Sequence, residues 1–335
     1  MGIQIQFTSL KDVRRPIKKN KTSLILNIIV FIFIAVNLGG LYAGNVFYKK
    51  AFEIDTKKSI DQFEANKQHF NLNRYNSLVK EEVAVTSTNN SYKLYGTYIK
   101  NPKPSKDTII LLHGLAGSRW SMLKYADMYL DKGFNLLIYD ARNHGDSAGK
   151  NVTYGFYEKW DLDRWVNWLY TKNKGGVIGV HGESMGAATA LLHSELNQSK
   201  KRVSFYICDS SYSDLKELFK LRLKEDYKLK SKLASNVLLF YADKVNKLRN
   251  QFNFEKASPI NVIKEITTPV MLIHGSGDSF VPSKMSEDLH ASNPSSTELY
   301  IAQNSNHVEA YLNHNEVYTE RVYKFIDTIL NSDKK

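Results

Sequence analysis

The sequence predicts a doubly wound α/β domain: a mostly parallel sheet with helices on both faces, a helical lid, and an apolar helix ahead of the domain. Three observations carry this prediction. From Thr108 onward, short apolar runs alternate with amphipathic stretches in a βαβ rhythm. The apolar runs "TIILLHG", "FNLLIYD", "GVIGVHG", "VSFYICD" and "PVMLIHG" lack inside–outside alternation, which marks strands buried on both faces of a parallel sheet. Finally, helical patterning over about residues 212–258 breaks the rhythm and reads as a lid insertion above the carboxyl ends of the strands.

Taken in order, residues 1–22 are a basic arm, with six Lys/Arg against one Asp in residues 11–22. Residues 23–44 contain no charged side chain, and their length matches the roughly 20 residues a helix needs to cross a bilayer. The competing reading is a cleaved signal peptide, whose apolar region is shorter, about 7–15 residues. "LYA" before Gly44 is also a poor cleavage site, because Leu41 occupies a position that prefers a small side chain. The expectation is therefore a single-pass membrane anchor. The excess of Lys/Arg before it, over Lys49, Lys50, Lys57 and Lys58 after it, places the main domain outside the cytoplasm. Residues 45–80 read as a polar helical connector, with Phe52, Phe63 and Phe70 as candidates to dock on the domain.

Residues 81–335 form the main domain. "EEVAVTS" and "YKLYGTYIK" alternate in polarity and flank "TNNS", the pattern of a β-hairpin. The first crossover helix is "WSMLKYADMYLDKG", stopped by Gly133. "YEKWDLDRWVNWLYTK" is amphipathic, with Trp165, Trp168 and Leu169 at helical spacing. "MGAATALLHSEL" follows "GVIGVHG" after only Glu183 and Ser184 and reads as a helix. In the lid, Leu215, Leu218 and Phe219, then Val237 to Tyr241, Val245 and Leu248, give two apolar helix patterns. The chain closes with "PSKMSEDLHAS", "TELYIAQ" and "NEVYTERVYKFIDTIL": helix, strand, helix.

The net charge of +12 is concentrated in the N-terminal arm and in residues 215–256, where eleven Lys/Arg face five Asp/Glu. The rest is near neutral, which argues against a nucleic-acid-binding core. The single cysteine, Cys208, sits in a strand pattern and allows neither an internal disulfide nor a zinc cluster.

The chemistry concentrates at "GVIGVHGESMGAAT", residues 176–189. Gly182-Glu183-Ser184-Met185-Gly186 puts a serine on the tight turn between a strand and a helix, with glycines two residues to either side where Cβ atoms would clash. The helix that begins at Met185 turns its N-terminus to the same spot and favours developing negative charge there. A nucleophilic serine needs a base, and the base an orienting acid, expected in the chain order Ser, Asp or Glu, His. Asp278, in "MLIHGSGDSFVP", and His307, in "LYIAQNSNHVEAY", both follow strand ends and can converge on Ser184. Asp209, also at a strand end, is the alternative acid. His274 ends a buried strand, His290 and His314 lie on helices, and His113, His144 and His181 precede the serine, so each is read as structural, with His113 also a candidate to line the pocket. The backbone N–H groups of Met185 and of Leu115, in "HGLAGSRW", are the expected oxyanion donors.

"LLHGLAGS", "YDARNHGDS", "GESMGAAT", "HGSGDSFVP" and "NHVEAY" resemble the motifs of the α/β-hydrolase superfamily in order and spacing, across roughly residues 81–330. The resemblance is greatest to bacterial membrane-anchored serine hydrolases of the esterase type. It implies the α/β-hydrolase fold, a triad of Ser184, Asp278 and His307, and an oxyanion hole of Leu115 and Met185. In "YDARNHGDS", Asn143 stands where the family has Gly, a tolerable exchange at positive φ. Asp140, Arg142 and His144 read as a scaffold network, since no metal-ligand spacing accompanies them.

The expected activity is hydrolysis of carboxylic esters of small or medium acyl groups through an acyl-enzyme, with neither metal nor cofactor implied. The expected partners are a small-molecule ester or acyl substrate and, through the N-terminal helix, a membrane. A serine peptidase or amidase of the same fold, and a non-catalytic surface protein on a hydrolase scaffold, are the rival readings.

Overall fold

The computed structural model describes residues 21–54, 62–88 and 91–332. The basic segment 1–20, with Lys57 and Lys58, lies outside the described residues. Helix α1 (Lys21–Phe52) is followed by short helices α2 (Gln62–Asn66) and α3 (Leu72–Ser77). Strands β1 (Lys80–Thr86) and β2 (Lys93–Ile99) form the expected hairpin. Then come β3 (Thr108–Leu112), α4 (Ala126–Asp131), β4 (Asn135–Tyr139), α5 (Glu158–Lys172), β5 (Ile178–Glu183), α6 (Met185–Lys200) and β6 (Phe205–Asp209). Helices α7 (Leu215–Asp226) and α8 (Lys232–Asn250) make the lid, followed by β7 (Val270–Gly275), α9 (Lys284–Ser292), β8 (Thr297–Ala302), α10 (Ala310–Asn313) and α11 (Asn315–Ser332).

The eight strands form one sheet in the order β1-β2-β4-β3-β5-β6-β7-β8, antiparallel at β1/β2 and β2/β4 and parallel thereafter. Every residue of β3, β4, β5, β6 and β7 is buried, as their unbroken apolar runs require. One core packs α4, α10 and α11 on one face; a second packs α5 and α6 on the other. Because β3, β5, β6 and β7 are parallel, the loops after them open at one sheet edge, where a ligand crevice is expected.

Helix α1 does not stop at Gly44, where the apolar span expected from the sequence ends. Four side-chain positions at one-turn spacing, Gly40, Gly44, Tyr48 and Phe52, continue one face onto the lid. A Cβ on Gly44 would lie 2.6 Å from the Tyr241 carbonyl carbon of α8, so glycine is what lets the two backbones approach. Tyr48 and Phe52 are fully buried, stacked on each other with ring centroids 5.0 Å apart. Phe52 also stacks on Phe254 at 6.0 Å and meets Tyr154 and Phe219 edge-on at 5.3 and 5.9 Å. The third apolar core, under the lid, is thus completed by the end of α1. Downstream, Phe63 and Phe70 pack against Tyr75 and Trp120 at the domain surface.

The inward stripe of α8 is Leu239, Ala242, Val245 and Asn246. Val237, Phe240 and Leu248, read from the sequence as part of the lid's apolar face, are exposed. Helical periodicity identifies apolar positions but not which of two stripes turns inward.

Candidate active site

The strand-to-helix turn carries Ser184 at φ 51°, ψ −115°, a region that costs a non-glycine residue about 1–3 kcal/mol. The flanking glycines are fixed by close approach. A Cβ on Gly182 would come within 2.3 Å of the Gly186 carbonyl oxygen, and one on Gly186 within 2.4 Å of that of Leu112. The turn is held from below by the Ser184 N–H, which donates to the Asp209 carbonyl at 2.8 Å.

Ser184 Oγ donates to His307 Nε2 at 2.9 Å, and His307 Nδ1–H donates to Asp278 Oδ2 at 2.6 Å. The carboxylate accepts only, so the imidazole proton sits on Nδ1 and Nε2 is free to take the serine proton. Asp278 Oδ1 accepts from the backbone N–H groups of Phe280 and Val281 at 2.9 and 2.8 Å. Burial pushes the Asp278 carboxyl up, but hydrogen bonds from His274 and His307 outweigh it and hold it well below the ordinary carboxylate range. Asp209 is elsewhere: its carboxylate accepts from Ser210 Oγ at 2.8 Å and the Tyr318 hydroxyl at 3.1 Å, and burial pushes it up.

Met185 is the first residue of α6, so its N–H has no intrahelical acceptor by position. Leu115 follows Gly114, where a Cβ would stand 3.2 Å from Ser184 Cβ, so the loop after β3 passes directly over the serine. Two histidines hold that loop. His113 Nδ1–H donates to the Gly114 carbonyl at 2.7 Å and its Nε2 accepts from Ala141 N–H at 3.0 Å. His144 Nδ1–H donates to the Arg142 carbonyl at 2.8 Å and its Nε2 accepts from Ala116 N–H at 3.3 Å. Asp140 and Arg142 close the scaffold: Asp140 pairs with Arg119 at 3.0 Å, Arg142 with Asp161 at 2.7 Å. Asn143 takes φ 60°, the positive value its place in the turn demands, and its Nδ2 donates to the Ile54 carbonyl at 3.0 Å.

Burial pushes both His113 and His144 down to about 4, so both are neutral in the fold. Unfolded, they titrate near 6.5. The unfolded chain therefore binds more protons between those values, and stability is lost as pH falls from 6.5 toward 4. Thermal unfolding followed by circular dichroism should show Tm falling through that window, less steeply in His144→Gln. Equal slopes for the two proteins would contradict the assignment.

Three supports carried no sequence signal. His274 Nε2–H donates to Asp278 Oδ2 at 3.1 Å and to the Val281 carbonyl at 2.7 Å, while its Nδ1 accepts from Ser286 Oγ at 2.7 Å. Phe280 stands 5.1 Å from the His307 ring, beneath the guanidinium of Arg222 from α7 at 4.6 Å. Lys124, 9% exposed, pairs with Glu183, the residue before Ser184, and donates to the carbonyl of Val308, the residue after His307, at 3.1 Å. Val308 N–H donates to Ser210 Oγ at 3.2 Å, and Val308 itself is held at φ 55°. Lys124 therefore joins the serine turn to the histidine loop, and if that turn and loop are catalytic it would act as a positioning residue. Removing both charges in Lys124→Met/Glu183→Gln avoids leaving a buried charge unpaired. That variant should fold, with kcat down ~10- to 100-fold, since a 1 Å misplacement costs about that much, and KM little changed. An unchanged kcat would remove Lys124 from this role.

Among the described residues, no group of three or more His, Cys, Asp or Glu has the arrangement of a metal site. Among the described residues, one helix, Thr22–Phe52, is long and apolar enough to cross a membrane.

Residues 107–259 match the family model described as the alpha/beta hydrolase fold. The chain is 36% identical over 278 residues to the uncharacterised protein YqkD of Bacillus subtilis (strain 168), covering 83% of this chain and 89% of that protein. Among solved structures it is similar to the esterase Pf2001 of Pyrococcus furiosus, with TM-score 0.61 and 29% identity over 76% of this chain and 95% of that one. Est1E of Butyrivibrio proteoclasticus, solved with ferulic acid bound, shares the fold at TM-score 0.58 and 18% identity, over 74% of this chain and 99% of that one.

Proposed function

The chain belongs to the α/β-hydrolase family, and from that premise we propose that it is a serine hydrolase of carboxylic esters. The family and its esterase neighbours support hydrolase activity. The observation that carries the finer reading is the unbroken relay from Ser184 Oγ through His307 to Asp278, at 2.9 and 2.6 Å. His307 Nε2 takes the serine proton as Oγ attacks the ester carbonyl, and Asp278 stabilises the imidazolium that forms. The N–H groups of Met185 and Leu115 receive the oxyanion. His307 then protonates the departing alcohol, and water, deprotonated by His307, releases the acid.

The side chains of Leu115 and Met185 belong to the apolar cluster beneath the lid, with Phe219, Val281 and Met285. Such walls suit an acyl group of small or medium size. A fluorophosphonate probe tests the mechanism: it should label the wild-type protein and fail to label Ser184→Ala. Absence of labelling in the wild type would leave a non-catalytic scaffold. Turnover of p-nitrophenyl esters, and not of the matching anilides, is the outcome expected of an esterase; the reverse would indicate an amidase.

Helix α1 is read as a retained anchor in the cell membrane, with the catalytic domain on the extracytoplasmic side. In support, Gly40, Gly44, Tyr48 and Phe52 pack the lid, and a cleaved signal segment would remove part of that contact. Intact mass of the membrane fraction should include residues 1–44; a mature chain beginning near Gly44 would refute the anchor.

A further inference from the structure

Helix α8 runs parallel to α1. Tyr241 sits against Asn37, Gly40 and Gly44, its hydroxyl donating to Asn37 Oδ1 at 3.2 Å. Further along both helices, Arg249 donates to Asn45 Oδ1 and Glu53 Oε1, each at 2.7 Å. The first half of α8 therefore points the same way as residues 22–36 of α1. Every one of those α1 residues is exposed, so α1 runs on past the start of α8 uncovered by the lid. The α7–α8 junction and the start of α8 form the end of the lid on the side of the apolar span.

That end has the composition of an interfacial helix. Leu233, Val237 and Phe240 are 75%, 47% and 54% exposed, at i, i+4 and i+7, which makes one apolar stripe. Beside it lies a groove of about 420 Å³ between α7 and α8, lined by Lys220, Lys224, Lys230 and Lys232, by one carboxylate, Glu217, and by Leu221 and Leu229. Lys220 is paired with Glu217, Arg222 with Asp226 and Lys224 with Glu225, which leaves Lys228, Lys230 and Lys232 as the positive excess of the junction. An apolar stripe bordered by lysines fits acyl chains beneath anionic headgroups.

We propose that this end of the lid docks on an anionic phospholipid leaflet, the leaflet from which α1 emerges. The proposal rests on reading α1 as a membrane anchor. Docking adds a second, electrostatic attachment and fixes the lid relative to the bilayer.

The test uses the full-length chain in phosphatidylglycerol-containing nanodiscs, with nitroxide labels on single cysteines. Cys208 is fully buried, so the added thiol is the one that reacts. The labels sit at Phe33→Cys on α1, Phe240→Cys on α8 and Lys324→Cys on the exposed face of α11. Oxygen-over-nickel-chelate accessibility at 240 should exceed that at 324 several-fold and lie below that at 33, which sits near the middle of the span. Lys228→Gln/Lys230→Gln/Lys232→Gln should lower the value at 240 and leave 33 unchanged. If 33 reads as lipid and 240 as water, the docking is refuted and the anchor stands. If 33 also reads as water, the anchor reading fails and the docking falls with it. If the triple variant leaves 240 unchanged, the anionic headgroup is not the partner.

Discussion

Ser184→Ala is expected to lower kcat for a p-nitrophenyl ester by about 10⁶-fold, the loss measured when a serine nucleophile acting with its histidine is removed. The expectation depends on geometry that the substitution leaves in place. Alanine keeps the Cβ, so the turn stays at its strained φ of 51° and the N–H groups of Met185 and Leu115, the proposed oxyanion donors, remain where they are. Residual turnover should be the part those donors and binding supply, about 10³–10⁴ over water. Ser184→Gly separates strain from chemistry. It should be equally inactive and melt higher, because glycine relieves a backbone cost of about 1–3 kcal/mol and gives back only about 0.5–1 kcal/mol in chain entropy. A Ser184→Ala protein within tenfold of wild-type kcat would end the proposal that this serine is the nucleophile.

What the sequence made legible is what local chemistry dictates. The Gly-Glu-Ser-Met-Gly turn could be placed because glycines at 182 and 186 answer to backbone contacts that any strand-to-helix reversal this tight must make. Asn143 was readable as a positive-φ residue for the same local reason. Supports contributed by distant elements left no such trace. Lys124 lies in an unremarkable stretch, "MLKYAD", and its meaning comes from Glu183 and Val308, which only the folded sheet brings to it. Helix α1 shows the limit from the other side. Its hydropathy ends with Lys49 and Lys50, yet the face of Gly40, Gly44, Tyr48 and Phe52 continues, and the lid core rather than hydropathy sets where the helix stops being useful. In α8 the buried stripe includes Ala242 and Asn246, less apolar than the exposed Phe240 and Leu248, so ranking by hydrophobicity selects the wrong face. Asn246 is satisfied inside by donating to the Phe252 carbonyl at 2.7 Å.

Asp278→Asn is expected to cost about 10⁴-fold in kcat while leaving the fold intact, the magnitude known for the same exchange in a serine-protease triad. The reason is specific to the hydrogen bonds around this carboxylate. Oδ1 accepts from two backbone N–H groups, those of Phe280 and Val281, at 2.9 and 2.8 Å. An asparagine must keep its carbonyl oxygen there, since its NH₂ would otherwise face two donors. The NH₂ is then forced into the place of Oδ2, pointing at His307 Nδ1. There it can only donate, so the imidazole proton moves to Nε2, and a protonated Nε2 cannot accept from Ser184 Oγ. The same NH₂ faces His274 Nε2–H, but that donor retains the Val281 carbonyl at 2.7 Å, so the loop keeps its anchor. Steady-state kinetics paired with a thermal melt read both halves: kcat collapses while Tm moves by a few degrees. If kcat stays within tenfold of wild type, His307 does not take its orientation from Asp278, and the relay loses its third member.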